Sequence, residues 1–191
     1  MHAVRNTLLL AGLAVVAAYS FQDTQLTRIG FPSRETDPWT LQYAAAHGQV
    51  SLAEMLLKMG LDVNGRSAKG NRALDIACLK GNAAVVKTLV EHGADVKLQN
   101  SAGSTPLHDA ALSGNAEVGE ILLTHGAAID AVDPETGATP LYNAVSFGKA
   151  EFSKLLIAKG ANKNAKLKSG KSIIDAAKAS GLDSLFTAVG K

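Results

Sequence analysis

The chain has 191 residues, with 19 basic and 17 acidic side chains and a formal net charge of +2. So small an excess of positive charge gives no electrostatic reason to expect binding to nucleic acid or to an anionic membrane. Cys78 is the only cysteine, which excludes an internal disulfide, so the fold must be stabilised by packing.

The first twenty residues differ from the rest of the chain. One positive charge, Arg5, precedes an uncharged apolar run at 7–18, and the segment closes on the small residues of AYS at 18–20. A membrane-spanning helix needs ~20 apolar residues, whereas a run of this length is typical of an export signal. We predict a cleavable signal peptide at 1–20 and a lead-in at 21–36. An uncleaved anchor is the competing interpretation.

From residue 37 onward the sequence repeats with a nearly constant period. Three series of glycines keep the same step: Gly70, Gly103, Gly137 and Gly170; Gly48, Gly81, Gly114, Gly148 and Gly181; and Gly60, Gly93, Gly126 and Gly160. Steps in the first series are 33, 34 and 33 residues, and the extra residue falls in VDPETG at 132–137. Such a period predicts an array of similar units that stack on one another.

Each unit has the composition of two short helices and a loop. In the third unit, Thr105 and Pro106 have the residue types of a helix N-cap and first turn. Leu107 begins the apolar face of this helix, and the helix ends at Gly114. A second apolar helix follows, and Gly126 leads into a polar loop. Because two short helices cannot bury their apolar faces alone, we expect Leu107 in a core between units.

The segments TPLHDAALSG at 105–114, GADV at 93–96 and TPLYNAVSFG at 139–148 resemble the ankyrin repeat. The resemblance implies an all-α repeat solenoid of about five units, each a helix-turn-helix followed by an extended hairpin loop. We place the units at 37–69, 70–102, 103–136 and 137–169, with a C-terminal cap at 170–191. The resemblance also implies structural roles for the tetrad residues: Thr105, Pro106, Leu107 and His108, which bonds to backbone, and Thr139, Pro140 and Leu141.

The second unit departs from this pattern although it lies inside the array. Its first helix reads NRALDIACLKG at 71–81, without the TPLH tetrad. We therefore expect the array to fray first at this unit. Cys78 replaces an alanine of the pattern and is predicted to be buried and inert.

No pattern in the sequence favours catalysis. Ser113, His108 and Asp109 are close in sequence, but the repeat itself dictates their positions on one short helix, and no GxSxG motif occurs. His92 and His125 recur at the repeat spacing without an HExxH or CxxC motif. We predict a non-enzymatic protein without a metal ion or cofactor.

The ankyrin resemblance implies that a protein partner binds the concave face lined by the first helices. The corresponding positions are Tyr43, His47, Ile76, Leu79, Lys80, Asp109, Leu112, Ser113, Asn143, Ser146 and Phe147. Large apolar groups among them predict an exposed binding patch, with partial burial between helices as the alternative. Candidate contacts at the loop tips are Lys69, Asn71, Ser101, Ser104, Asp133, Glu135 and Lys168, with ordinary solvated loops as the alternative.

The export signal and the array together lead to a first functional hypothesis. We expect a monomeric binding protein in the bacterial periplasm that regulates or inhibits an envelope enzyme, such as a peptidoglycan hydrolase, as a self-protection or immunity protein. It would bind neither nucleic acid nor, after signal cleavage, a membrane. The alternative is an accessory protein in oxidative-stress defence that supports a periplasmic catalase-like enzyme.

Overall fold

The computed structural model describes residues 40–67 and 70–187. The predicted signal peptide and lead-in, the start of the first unit at 37–39, Lys69 and the last four residues at 188–191 lie outside the described residues.

Within the described residues the chain forms ten helices in five successive pairs. They are α1 (Leu41–His47), α2 (Val50–Lys58), α3 (Ala73–Lys80), α4 (Ala83–Glu91), α5 (Pro106–Ser113), α6 (Ala116–Thr124), α7 (Pro140–Ser146), α8 (Ala150–Ala158), α9 (Ile173–Ser180) and α10 (Ser184–Thr187). Isolated β-bridges close two of the connecting loops, between Arg66 and Arg72 and between Lys166 and Ser172. None of these helices is long and apolar enough to cross a membrane.

The periodic glycines occupy backbone positions that other residues adopt only with strain. Every member of the three series has a positive φ, and Gly114, at φ 80°, is the left-handed C-cap of α5. At the other end of α5, Thr105 is the extended N-cap and Pro106 occupies the first turn, as predicted. The period in the sequence therefore records where each helix must end and the chain must reverse.

The helix pairs stack into two layers. Helices α1, α3, α5, α7 and α9 contact one another in succession and form the first layer, while α2, α4, α6 and α8 form the second. Leu107 of α5 and Leu141 of α7 are fully buried in one continuous apolar core. The predicted all-α repeat solenoid is therefore confirmed, and Leu107 lies in this shared core.

The second repeat is closed by a buried ion pair in place of the missing tetrad. Arg72 and Asp75, which occupy the positions of Thr105 and His108, are only 1% and 4% exposed. The Arg72 backbone N–H donates to Asp75 Oδ2 at 3.1 Å, and its guanidinium contacts both carboxylate oxygens at 3.1–3.2 Å. Arg72 Nη2 also donates to the Leu98 carbonyl at 2.8 Å. The expectation that the array frays first here rested on the missing tetrad, did not include this substitute cap, and stays a prediction.

One glycine outside the three series has a packing role. Gly119 lies within α6, and a Cβ added there would come within 2.8 Å of Phe152 and 2.9 Å of Leu155 on α8. Phe152 is fully buried. The absence of a side chain at Gly119 thus allows α6 and α8 to approach closely.

Candidate partner-binding face

The first layer exposes a row of side chains near the C-terminal ends of its helices, which we call the binding row. Leu79, at the end of α3, is 48% exposed, and Phe147, which follows α7, is 63% exposed. Leu112 on α5 lies between them in the stack and is half-buried. The other predicted members fall in two classes: His47, Lys80 and Ser146 are exposed, and Tyr43, Ile76, Ser113 and Asn143 are half-buried.

An aromatic pair occupies the N-terminal end of the binding row. The rings of Tyr43 and His47 stack with centroids 4.1 Å apart and planes inclined by 29°. His47 Nδ1 lies 2.9 Å from the Tyr43 carbonyl oxygen. Because a carbonyl oxygen only accepts, this nitrogen carries the hydrogen, and the ring is held against the helix end.

Asp109 differs from its predicted place in this row. Its side chain was expected at an open position, but the residue is only 8% exposed, and its carboxylate accepts from Asn100 Nδ2 at 3.4 Å. Burial raises the pKa of Asp109 to about 7, and the negative charge of Asp75 adds to this, while Arg72 and Asn100 oppose it. Asp109 is therefore an internal group of the second and third repeats.

Ser113 is also engaged within the fold. Its hydroxyl donates to the Ala110 carbonyl at 2.9 Å and accepts from the backbone N–H of Asn115 at 3.3 Å. These bonds join the end of α5 to the turn before α6. The predicted binding contact at Ser113 is thus a half-buried residue whose hydroxyl already supports this turn.

Asp133 is a second correction, at the loop tips. It is 7% exposed, and its Oδ1 accepts from the backbone N–H groups of Glu135 and Thr136 and from the Thr136 hydroxyl at 2.8–3.0 Å. A carboxylate with three short local donors forms the turn itself. Asp133 is therefore a turn-forming residue and not an open contact.

The remaining described loop-tip candidates are accessible to different degrees. Ser101, Glu135 and Lys168 are exposed, and Asn71 and Ser104 are half-buried. Lys168 also ties the fourth loop to the third, because its backbone N–H donates to the Thr136 carbonyl and its Nζ to the Pro134 carbonyl. Lys69 lies outside the described residues.

His108 has the structural role that the ankyrin resemblance implies. It is 1% exposed, its Nδ1 accepts from the Thr105 backbone N–H at 3.2 Å, and its Nε2 lies 3.1 Å from the Ala138 carbonyl. Since a backbone N–H only donates, the neutral ring carries its hydrogen on Nε2 and donates it to Ala138. Burial is the main cause that lowers the pKa of His108, so the neutral form is favoured.

Two other histidines that recur in the repeat lie at the ends of helices. His92 and His125 each place Nδ1 2.8 Å from the carbonyl oxygen four residues earlier, in Thr88 and Ile121. Such bonds satisfy carbonyl groups that a helix end leaves free. Within residues 40–67 and 70–187, no cluster of three or more histidine, cysteine, aspartate or glutamate side chains could hold a metal ion.

Cys78 lies inside the core, as predicted. It is fully buried, and burial raises the pKa of its thiol, with the negative charges of Asp109 and Asp75 adding to the rise. A protonated thiol without access to solvent is a poor nucleophile. The environment of Cys78 therefore suits a small apolar core residue.

Comparison with known families agrees with this architecture. The family model described as Ankyrin repeats (3 copies) matches residues 15–100 and 74–167, which together cover most of the chain. The chain therefore belongs to the ankyrin-repeat family, whose members are generally non-enzymatic modules for protein–protein interaction. A comparison with curated proteins returned no match.

Proposed function

We propose that this ankyrin array binds a protein partner outside the cytoplasm through the binding row, and that by covering an envelope enzyme, such as a peptidoglycan hydrolase, it regulates that enzyme. The observation that carries the proposal is the exposure of Leu79 and Phe147 at the ends of α3 and α7. Both side chains are of the large apolar kind that contributes binding energy when a partner covers it.

The neighbours of these two side chains match the usual organisation of a protein interface. Half-buried Leu112 lies on the helix between them, and exposed Lys80 and Ser146 directly adjoin Leu79 and Phe147 in sequence. Protein interfaces commonly combine an apolar centre with a polar rim. A single exposed leucine is ordinary on a protein surface, so it is the succession along three repeats that supports a binding site.

Hydrogen bonds between repeats fix the positions of the binding row. Asn82 Nδ2 donates to the Ala45 carbonyl at 2.6 Å, and Asn115 Nδ2 donates to the Gly81 carbonyl at 2.8 Å. Both bonds cross from one repeat to the preceding one at the turns that end α1 and α3. A row held in this way loses little conformational entropy when a partner binds, which favours affinity.

Export is proposed from the sequence alone. The uncharged run at 7–18, with a preceding arginine and small residues at 18–20, has the organisation of a secretory signal. A bare interaction module sent out of the cytoplasm must find its partner there, and enzymes that cut the cell wall are partners whose control protects the producing cell.

The test is affinity capture from a periplasmic extract with the full chain and two charge-matched variants. Phe147→Glu should lose the partner, whereas Ile174→Glu should keep it, because Ile174 is 44% exposed but lies in the first turn of α9, at the opposite end of a first-layer helix from the binding row. Adding the wild-type chain to the same extract should slow peptidoglycan digestion, and Phe147→Glu should not. Equal capture by both variants would exclude the binding row. Capture without any effect on digestion would exclude the proposed hydrolase.

A further inference from the structure

Three ionisable side chains are buried together where α3, α5 and the loop at 97–104 meet. Arg72, Asp75 and Asp109 are 1%, 4% and 8% exposed. Asn100 joins this group to the loop: its Nδ2 donates to Asp109, and its Oδ1 accepts from the backbone N–H groups of Ala102 and Ser104 at 2.9 and 3.1 Å. The cluster therefore contacts both the helices and the turn of the second loop.

The charges in this cluster do not balance. Arg72 directs Nε and Nη2 to Asp75 and shares Nη2 with the Leu98 carbonyl, so one guanidinium is committed to one carboxylate. Within the described part of the chain, the side chain of Asp109 receives one hydrogen bond, the long one from Asn100. Among the described residues, Arg72 Nη1 is buried without a hydrogen-bond partner. Two carboxyl groups thus face a single cation that has one unused donor.

Burying a carboxylate without a cation costs free energy, so Asp109 takes up a proton more readily than an exposed aspartate. Burial, together with the negative charge of Asp75, therefore raises the pKa of Asp109 to about 7. Asp75, in contrast, already has its cation, because both of its oxygens accept hydrogen bonds from the Arg72 guanidinium.

The other titratable groups on the packed elements do not supply the missing charge. On α3, Cys78 is a buried thiol and Lys80 is exposed, and Lys97 at the start of the loop is exposed as well. On α5 the ring of His108 is committed to Thr105 and Ala138. Helix α7 carries no charged residue, and its titratable side chain is the phenol of Tyr142. On α6, Glu117 is exposed, and Glu120 pairs with Lys159 at 2.8 Å.

We propose that Asp109 is a protonation switch between the second and third repeats. While Asp109 is neutral, Arg72 stays bound to Asp75 and holds the loop at 97–104 through the Leu98 carbonyl. When Asp109 ionises, it attracts the unused Nη1 of Arg72, the guanidinium turns toward it, and the bond to Leu98 is weakened. The loop is therefore more firmly held in mild acid than in mild alkali.

The switch would change the edge of the array independently of any partner. Leu98 is 39% exposed, and the neighbouring Gln99 carbonyl accepts from Arg66 Nη2 of the preceding loop at 3.0 Å. Loosening the loop at 97–104 thus alters its contact with the loop before it. This inference does not rest on the proposed function.

The first measurement is the titration of the Asp109 carboxyl carbon by NMR in the full chain between pH 4 and 9. We expect a midpoint near 7, accompanied by a change at the Arg72 guanidinium and the Leu98 carbonyl over the same pH range. A midpoint near the ordinary aspartate value of about 4 would overturn the proposal. A midpoint near 7 without any response from Arg72 and Leu98 would overturn it as well.

The second measurement is amide hydrogen exchange, with the next loop as an internal control. Gly103 donates to the Asn100 carbonyl, and Gly137 donates to the Asp133 carbonyl in the equivalent turn. After correction for intrinsic exchange rates, protection of Gly103 relative to Gly137 should fall several-fold between pH 6 and 8.5. Equal protection of the two amides across this range would contradict the switch.

Two variants separate the switch from a purely structural role. Asp109→Asn should abolish the pH response of Gly103, and it should fold because Asn143 occupies the same position in the next repeat. Asp75→Asn should lower the Asp109 midpoint, since it removes a like charge and frees Arg72. If Asp109→Asn keeps the pH response of the wild type, the proposal is wrong, whatever Asp75→Asn does.

Discussion

The Asp75 carboxylate accepts the backbone N–H of Arg72 at 3.1 Å, just as the His108 ring accepts the backbone N–H of Thr105 at 3.2 Å one repeat later. Both acceptors lie three residues after the residue that they cap. In each case a second bond reaches the outgoing loop, from Arg72 to Leu98 and from His108 to Ala138. Two unrelated residue pairs therefore close equivalent helices.

This equivalence predicts a large cost for removing one member of the ion pair. Arg72→Ala leaves Asp75 buried without its cation, and we expect a loss of about 3–5 kcal/mol in the free energy of unfolding. The double variant Arg72→Thr with Asp75→His, which restores the tetrad types of the third repeat, should lose much less. Urea unfolding of both chains tests this. A loss below about 0.5 kcal/mol for Arg72→Ala would mean that the pair is not a cap.

Leu107 tests the register of the stack. It is fully buried between repeats, so Leu107→Ala should cost about 2–5 kcal/mol through lost contacts and a residual cavity. Leu79→Ala removes the same atoms from a side chain that is 48% exposed and should change stability by no more than about 0.5 kcal/mol. Similar losses for the two variants in chemical denaturation would contradict the assigned core.

Gly119 reverses the usual effect of glycine in a helix. Replacement by alanine normally gains up to about 1 kcal/mol of helix stability, but here the new Cβ would press on buried Phe152 at 2.8 Å. Overpacking of this kind costs ~1–3 kcal/mol, so we expect Gly119→Ala to be destabilising on balance. Phe152→Leu should reduce that penalty in a double-mutant cycle. An increase in the free energy of unfolding for Gly119→Ala alone would contradict this prediction, because it would mean that α8 shifts to accommodate the new Cβ without cost.

His108 and Asp109 should affect stability with opposite dependence on pH. Because burial lowers the pKa of His108 in the folded state, its contribution is present above about pH 6.5 and is lost as the pH falls below that value. The pKa of Asp109 is raised to about 7, so its contribution is present at pH 4 and is lost as the pH rises through 7.

Single substitutions separate these two effects. Asp109→Asn should make the loss of stability on acidification below pH 6.5 steeper, because His108 then acts without opposition. In His108→Gln the effect of Asp109 remains, so the free energy of unfolding should fall as the pH rises from 4 to 7. Glutamine suits this position because Gln42, its equivalent in the first repeat, donates to the Gly65 carbonyl at 3.0 Å. Unfolding free energies measured across this range should diverge in these directions. Parallel curves for the two variants would contradict both assignments.

Much of the fold is predictable because the repeat fixes backbone positions. The glycine series marks the left-handed turns, and Thr105, Pro106 and His108 mark the start of a helix, so these features follow from local chemistry. Arg72 and Asp75 could not be recognised in the same way, since neither is a tetrad residue. Their role appears only when the loop carrying Leu98 folds back over them.

The binding row was harder to predict because exposure depends on distant neighbours. Leu79 and Phe147 are open, but Asp109 is buried, bonded to Asn100 and within the electrostatic influence of Arg72 and Asp75, which no spacing rule reveals. Asp133 has the composition of a loop tip yet forms the turn with its own carboxylate. Position in a repeat therefore predicts the direction of a side chain better than its accessibility.

The central claim is that exposed apolar groups of the first layer bind the partner. The direct measurement is the dissociation constant of the captured partner for the wild-type chain, Phe147→Glu and Ile174→Glu, determined by titration calorimetry. We predict that Phe147→Glu weakens binding by about 30-fold or more, as expected for a central interface residue, while Ile174→Glu leaves it unchanged. Unchanged binding by Phe147→Glu, or equal weakening by both variants, would contradict the claim.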